Sequence, residues 1–112
     1  MDLLNKFQLK YLINQALRSE EKFKHGAIIL DKKGNIISSG FNHKVDYYNH
    51  KFTIHAEIDA INKIIKNQYD LNNILIVIRI NKNNELKMSK PCKDCEKYIV
   101  MNKIRKVYYS SE

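Results

Sequence analysis

The sequence predicts an α/β domain in which helices pack on a mixed β-sheet of about four strands, and three observations carry that expectation. The segment "ILIVIRI", residues 74–80, is short and continuously apolar, which suits a strand buried on both faces. The segment "HGAIILDKKGNIISSGFN", residues 25–42, reads as two β-branched strands around a Lys33-Gly34-Asn35 turn. Apolar residues at helical spacing stand before and after that hairpin.

In chain order, residues 3–22 place Leu4, Phe7, Tyr11, Leu12 and Ala16 at helical spacing and end in the charged "RSEEKFK". The hairpin follows. Residues 42–53, "NHKVDYYNHKFT", read as a polar loop that carries aromatics. Ile54, Ile58, Ile61 and Ile65 then recur at intervals of four, three and four, predicting an amphipathic helix over 54–67 with Asp59, Asn62, Lys63 and Lys66 outside. After the apolar strand, "NKNNE" is turn material, and Pro91 suits the first position of a helix running to Met101. "KVYYSS", 106–111, closes the chain as a strand. Helix, hairpin, helix, strand, helix, strand is the order of a layered α/β domain.

A chain of 112 residues fits one domain, spanning 1–112, and its 44% hydrophobic and 29% charged residues are globular rather than disordered material. Lys, Gln and Asn break the N-terminal apolar residues, so there is no signal-peptide core. No apolar run approaches the roughly 20 residues that span a bilayer, and two cysteines are too few for a secreted disulfide scaffold. The expectation is a cytoplasmic, reducing location with no membrane partner. A net charge of +8 admits nucleic acid as a partner. Yet 17 Lys stand against 3 Arg, beside 13 Asn and 16 Ile, and all three abundant types have A/T-rich codons. A biased genome therefore accounts for much of the basic character.

The stretch "SKPCKDC", 89–95, holds the only proline and both cysteines. In a helix that starts at Pro91, Cys92 and Cys95 share one face, in turns where unpaired N–H groups and the helix dipole favour thiolate. Two thiolates at that spacing are half of a tetrahedral zinc site; a redox dithiol gives the same Cys-x-x-Cys pattern. With no further cysteine, histidine must supply any other ligand. Of His25, His43, His50 and His55, only His55 opens a predicted helix as "HAE", with Glu57 two residues on. A helix directs its first turn beyond its own end, so two helix N-termini would converge with His55, Cys92 and Cys95 as three ligands. Three protein ligands leave a fourth position open, the catalytic rather than the structural pattern.

His55-Ala56-Glu57 together with Pro91-Cys92-Lys93-Asp94-Cys95 resembles the His-x-Glu…Pro-Cys-x-x-Cys signature of the zinc-dependent cytidine deaminase-like superfamily. "GAIILDKKGNIISSGFN" is similar to that family's first hairpin and "VYYS" to one of its strands, so the resemblance covers most of residues 25–110. It implies a three-layer deaminase fold, Zn2+ as cofactor, and hydrolysis of a small cytosine nucleoside or nucleotide (cytidine or dCMP type) to the uracil product and ammonia. Zinc lowers the pKa of bound water to about 7, and Glu57, not itself a ligand, would carry protons to the ring nitrogen and to departing ammonia. Asn42 is implied as a partner for sugar or base, and the Ala56 N–H as donor to the base carbonyl.

Tyr48 and His50, with Tyr47 beside them, are candidates to stack on a base. Lys44, Lys51, Lys90 and Lys93 are candidates to meet a phosphate. A histidine ligand in place of a third cysteine is similar to the deoxycytidylate, guanine, riboflavin-pathway and nucleic-acid-editing branches. Lys90 stands where adenosine-editing and guanine-deaminating relatives often carry Glu, which favours cytosine. The alternatives are a cytosine or adenosine deaminase acting on single-stranded DNA or RNA, and a non-catalytic zinc-binding relative. The family core usually has five strands, whereas this chain is expected to stop after its fourth and to be C-terminally short. A sheet edge left open in that way predicts a homodimer or larger homo-oligomer.

Overall fold

In the computed structural model, which describes residues 3–64 and 72–111, the chain opens with helix α1, Lys6–Leu17. Asn5 caps it. The Asn5 side chain accepts from the Gln8 N–H at 2.7 Å and the Gln8 side chain accepts from the Asn5 N–H at 3.0 Å, which satisfies two otherwise orphan donors. Leu12 and Ala16 are fully buried under the helix, while Phe7, expected on the same stripe, is 70% exposed. The stripe is narrow because α1 rests directly on Gly26: a Cβ there would stand 2.7 Å from both Ala16 N and Leu12 O.

Strands β1, Lys24–Leu30, and β2, Ile36–Phe41, form the expected antiparallel hairpin. Asp31 builds its turn. One carboxylate oxygen accepts from the N–H groups of Lys33 and Asn35, both at 2.9 Å, and the other accepts from the Asn35 amide at 3.1 Å. The Asn35 N–H in particular holds the Asp31 carboxyl below its ordinary pKa. A depressed pKa contributes stability above the ordinary carboxylate range that is lost as pH falls through the folded value. Asp31→Ala is therefore expected to cost about 1 kcal/mol near neutrality. Thermal melts of the two proteins should converge only in strong acid.

Residues 42–53 are not a loop. Strands β3, His43–Tyr47, and β4, His50–Ile54, pair antiparallel in a sheet of their own, joined by Tyr48 and Asn49 at φ 48° and 65°. Two consecutive positive φ values make the tight turn that matches strand twist. Period-two alternation of His43, Val45 and Tyr47, and of Phe52 and Ile54, was the sequence signal.

Helix α2 is described as Ala56–Asn62, starting later than the expected 54, because Ile54 ends β4 and His55 is the N-cap. Ile65 and Lys66 lie outside the described residues. Asp59, expected outside, is buried; its carboxylate accepts from the Phe41 N–H at 3.1 Å and pairs with Lys63 at 2.9 Å. The cause is Gly40, where a Cβ would stand 2.6 Å from Ala60 N and 2.7 Å from Ala56 O, so the helix lies against β2 and turns Asp59 inward.

Strand β5, Ile74–Ile80, has the expected bounds and five of its seven residues are buried, as a central strand requires. It pairs antiparallel with β1 along its whole length. Its other edge is shared: β7, Lys106–Tyr109, runs parallel to Ile74–Val77, and the short β6, Leu86–Lys87, pairs antiparallel with Arg79 and Ile80. The sheet therefore has five strands but is four positions wide, which reconciles the count with the expected four. Helix α3 is Lys93–Met101 with Cys92 as its N-cap, two residues beyond the expected start at Pro91.

Two apolar layers flank the sheet. Leu12 and Ala16 meet Ile28, Leu30, Ile76, Ile78 and Ile80 on one face. Ala56, Ala60, Ile61 and Ile99 meet Ala27, Ile29, Leu75 and Val77 on the other. Each fully buried Ile or Leu contributes roughly 1.5–3 kcal/mol. The result is three layers, with the N-termini of α2 and α3 on the same side of the sheet.

Candidate active site

Those two N-termini carry the site. His55 caps α2, Cys92 caps α3, and Cys95 lies in the first turn of α3. Their ligand atoms lie within 4.8 Å of one another: His55 Nδ1 stands 3.1 Å from Cys95 Sγ and 4.0 Å from Cys92 Sγ. The Cys92 sulfur also accepts from the Cys95 N–H at 3.5 Å. Cys95 is buried and Cys92 exposed, so one side of the triad faces the interior and the other opens outward.

The opening is a cavity of about 410 Å³ whose lining includes His55, Ala56, Glu57, Cys92, Asn42 and His25. Glu57, the second residue of α2, is only 4% exposed. Burial, and next the Glu57 charge, push the Cys95 thiol far above its ordinary pKa in the absence of a cation.

The sequence profile of the cytidine and deoxycytidylate deaminase zinc-binding region matches residues 5–111. The chain belongs to this family. No curated protein matches the chain. Among solved structures, it is similar to the dCMP deaminase of cyanophage S-TIM5 in apo form, with 22% identity, TM-score 0.61, and coverage of 95% of this chain and 84% of that one. The same phage enzyme in complex with dCMP and dUMP gives 21% identity and TM-score 0.60, over 95% of this chain and 82% of that one. The cytidine deaminase of Mycobacterium tuberculosis gives 14% identity and TM-score 0.59, over 97% and 91%. At these identities the likeness is one of fold.

The donor set of this deaminase-family chain fits zinc. Bonds of about 2.0–2.3 Å in tetrahedral geometry put N and S donors roughly 3.3–3.8 Å apart. The observed 3.1 and 4.0 Å bracket that range. Two thiols and an imidazole beside a buried carboxylate are a donor set that a divalent cation would balance.

Asn42 lines the cavity but is also a structural clamp. Its carbonyl oxygen accepts from the His25 N–H at 2.9 Å and its amide donates to Phe23 O at 2.7 Å. One amide hydrogen and one lone pair remain for a ligand. Tyr48 and His50, expected as substrate contacts, do not line the cavity. Tyr48 is 81% exposed at the turn of β3–β4, and His50 begins β4, about 16 Å of extended strand from His55. Of the four candidate phosphate lysines, only Lys90 lines it.

Sequence reasoning missed His25, Phe23 and Ser89, which line the same cavity. His25 lies on the alternation of Ala27 and Ile29, a signal that extending the β1 period by one step would have revealed. Its Nδ1 is 3.3 Å from Phe23 O, and burial holds the ring below its ordinary pKa. Phe23 stacks under the Arg79 guanidinium at 4.4 Å. Ser89 is a buried knot at the junction where the edge of β5 passes from β7 to β6. Its hydroxyl donates to Val77 O at 2.9 Å and accepts from the Ser110 N–H at 2.9 Å, which fixes the chain three residues before Cys92.

Proposed function

We propose that this chain is a zinc-dependent hydrolytic deaminase of a cytosine nucleoside or nucleotide. The observation that carries the reading is the buried carboxylate of Glu57 in the same cavity as His55 and Cys92, whose donor atoms group with that of Cys95 within 4.8 Å. The family supports it, as do solved relatives named as cytidine and dCMP deaminases, one of them holding dCMP and dUMP.

His55, Cys92 and Cys95 would hold the ion, which supplies the Lewis acidity that makes water nucleophilic at neutral pH. The protein moves the protons. Glu57 accepts one from the attacking water, delivers it to the ring nitrogen next to the reacting carbon, and returns a proton to the amino group as it leaves as ammonia. Water plus cytosine thus become uracil plus ammonia. Ala56 is the first residue of α2, so its N–H has no carbonyl partner within the helix and is available to the base carbonyl. The second Asn42 N–H is available to a sugar hydroxyl.

Product mass tests the reading. Zinc-loaded protein is incubated with cytidine, deoxycytidine, their monophosphates, adenosine, guanine, and single-stranded DNA and RNA. Conversion of a free cytosine substrate supports the proposal; conversion of the strands alone would move it to the nucleic-acid branch, and no conversion of any would contradict it.

Zinc binding carries its own expectation. Because burial raises the Cys95 thiol, the metal-free site holds a proton there that zinc must displace. Affinity should rise with pH, by about tenfold per unit for each proton released. Chelator competition at two pH values measures it, and Cys95→Ala should lose stoichiometric zinc at both.

A further inference from the structure

Residues 88–92, between β6 and α3, belong to no helix or strand, yet they deliver Cys92 to the ligand cluster. What holds them lies elsewhere in the sequence. The Ser89 N–H donates to Ser110 O at 3.0 Å, and the Ser110 N–H donates back to the Ser89 hydroxyl at 2.9 Å. The Ser89 hydroxyl donates to Val77 O at 2.9 Å, and the Ser110 hydroxyl to Lys87 O at 2.6 Å. The Ser110 oxygen also accepts from the Arg79 N–H at 3.2 Å. Both serines are buried, and their hydroxyl oxygens lie 2.9 Å apart. Each hydroxyl has a single hydrogen to give, so the knot is fully engaged.

We propose that Ser110, acting through Ser89, is a positioning residue for Cys92 as a metal ligand; this rests on the reading in which His55, Cys92 and Cys95 hold zinc. Splicing the strands does not by itself require Ser89. The Ser110 N–H already reaches Val77 O at 3.2 Å, and the Ser110 hydroxyl alone serves Arg79 and Lys87. What Ser89 adds is a fixed start for the approach to Cys92. Only Lys90 and Pro91 intervene, and Pro91 is buried with a nearly fixed φ, so a shift at Ser89 passes on to Cys92. The two cysteines differ in what places them. Cys95 is buried in the first turn of α3, where packing sets its sulfur, whereas Cys92 is exposed and depends on how the chain arrives. A site works only when its groups are held within about 0.5 Å of the productive geometry.

Co2+ is the probe, because its visible absorption in a tetrahedral sulfur–nitrogen site reports donor geometry without reference to turnover. The full chain is titrated with Co2+, and Zn2+ affinity is then read by displacement. Ser89→Ala and Ser110→Ala are each expected to weaken binding at least about tenfold and to shift the visible bands. Asp31→Ala, at the end of β1 away from the cavity, is the control: its melting temperature falls, but spectrum and affinity should match wild type. Either serine variant that melts cooperatively decides. A wild-type spectrum and affinity in such a variant overturn the proposal. An equal loss in Asp31→Ala also overturns it, by reducing the effect to stability. A wild type that takes up no Co2+ removes the metal site itself, and the proposal with it.

Discussion

Glu57→Gln is expected to lower kcat by about 10²–10⁴-fold while KM changes little. Glutamine keeps the size of the side chain and its hydrogen-bonding reach but does not carry a proton between water, ring and leaving group. Glu57 is buried at the start of α2, and the proposed ligands His55, Cys92 and Cys95 are separate side chains. Zinc content and circular dichroism should therefore match wild type. That combination separates a proton carrier from a residue that only builds the cavity, whose loss would reduce zinc binding or stability along with rate. A variant that keeps a tenth or more of the wild-type turnover would remove Glu57 from the chemistry.

Gly40→Val is expected to have the largest structural effect of any single substitution considered. A Cβ at Gly40 stands 2.6 Å from Ala60 N, 2.7 Å from Ala56 O and 2.9 Å from Asp59 Cβ, and two of those three atoms are helix backbone. Backbone does not swing aside as a long side chain does, so α2 must move off β2. Overpacking of this kind costs about 1–3 kcal/mol, with valine at the upper end, against a total stability of about 5–15 kcal/mol. The melting temperature should fall on the order of 10 °C. Because α2 starts with Ala56 and Glu57, activity should fall further than the unfolded fraction explains, through kcat more than KM. Unchanged melting and turnover would mean that helix and strand are not in the contact described.

The sequence made the site more legible than the fold around it. The meeting of His55, Cys92 and Cys95, with Glu57 beside them, was readable because metal chemistry restricts donor type and spacing, and helix geometry says where first-turn side chains point. Strand β5 was readable because burial on both faces leaves no polar residue over several positions. The β3–β4 hairpin was not, since an exposed two-stranded ribbon needs no apolar run and its polar residues imitate a loop. The start of α2 was misjudged because Ile54 satisfies the helical period while belonging to a strand. Asp59 went inward for a reason lying in Gly40, nineteen positions away in sequence, which no local pattern contains. Asn42 was chosen as a ligand contact; what the structure shows is that it clamps residues 23–25, a role no local sequence pattern announces.

In the proposed reaction, zinc held by His55, Cys92 and Cys95 and a proton carried by Glu57 together deaminate cytosine. One titration reaches it most directly: deamination of the best free cytosine substrate, followed as a chelator strips the protein and zinc is then restored. Turnover is expected to fall in proportion to bound zinc and to return when one ion per chain is replaced. Turnover that is indifferent to chelation, or a fully zinc-loaded protein that converts no cytosine substrate, would contradict it.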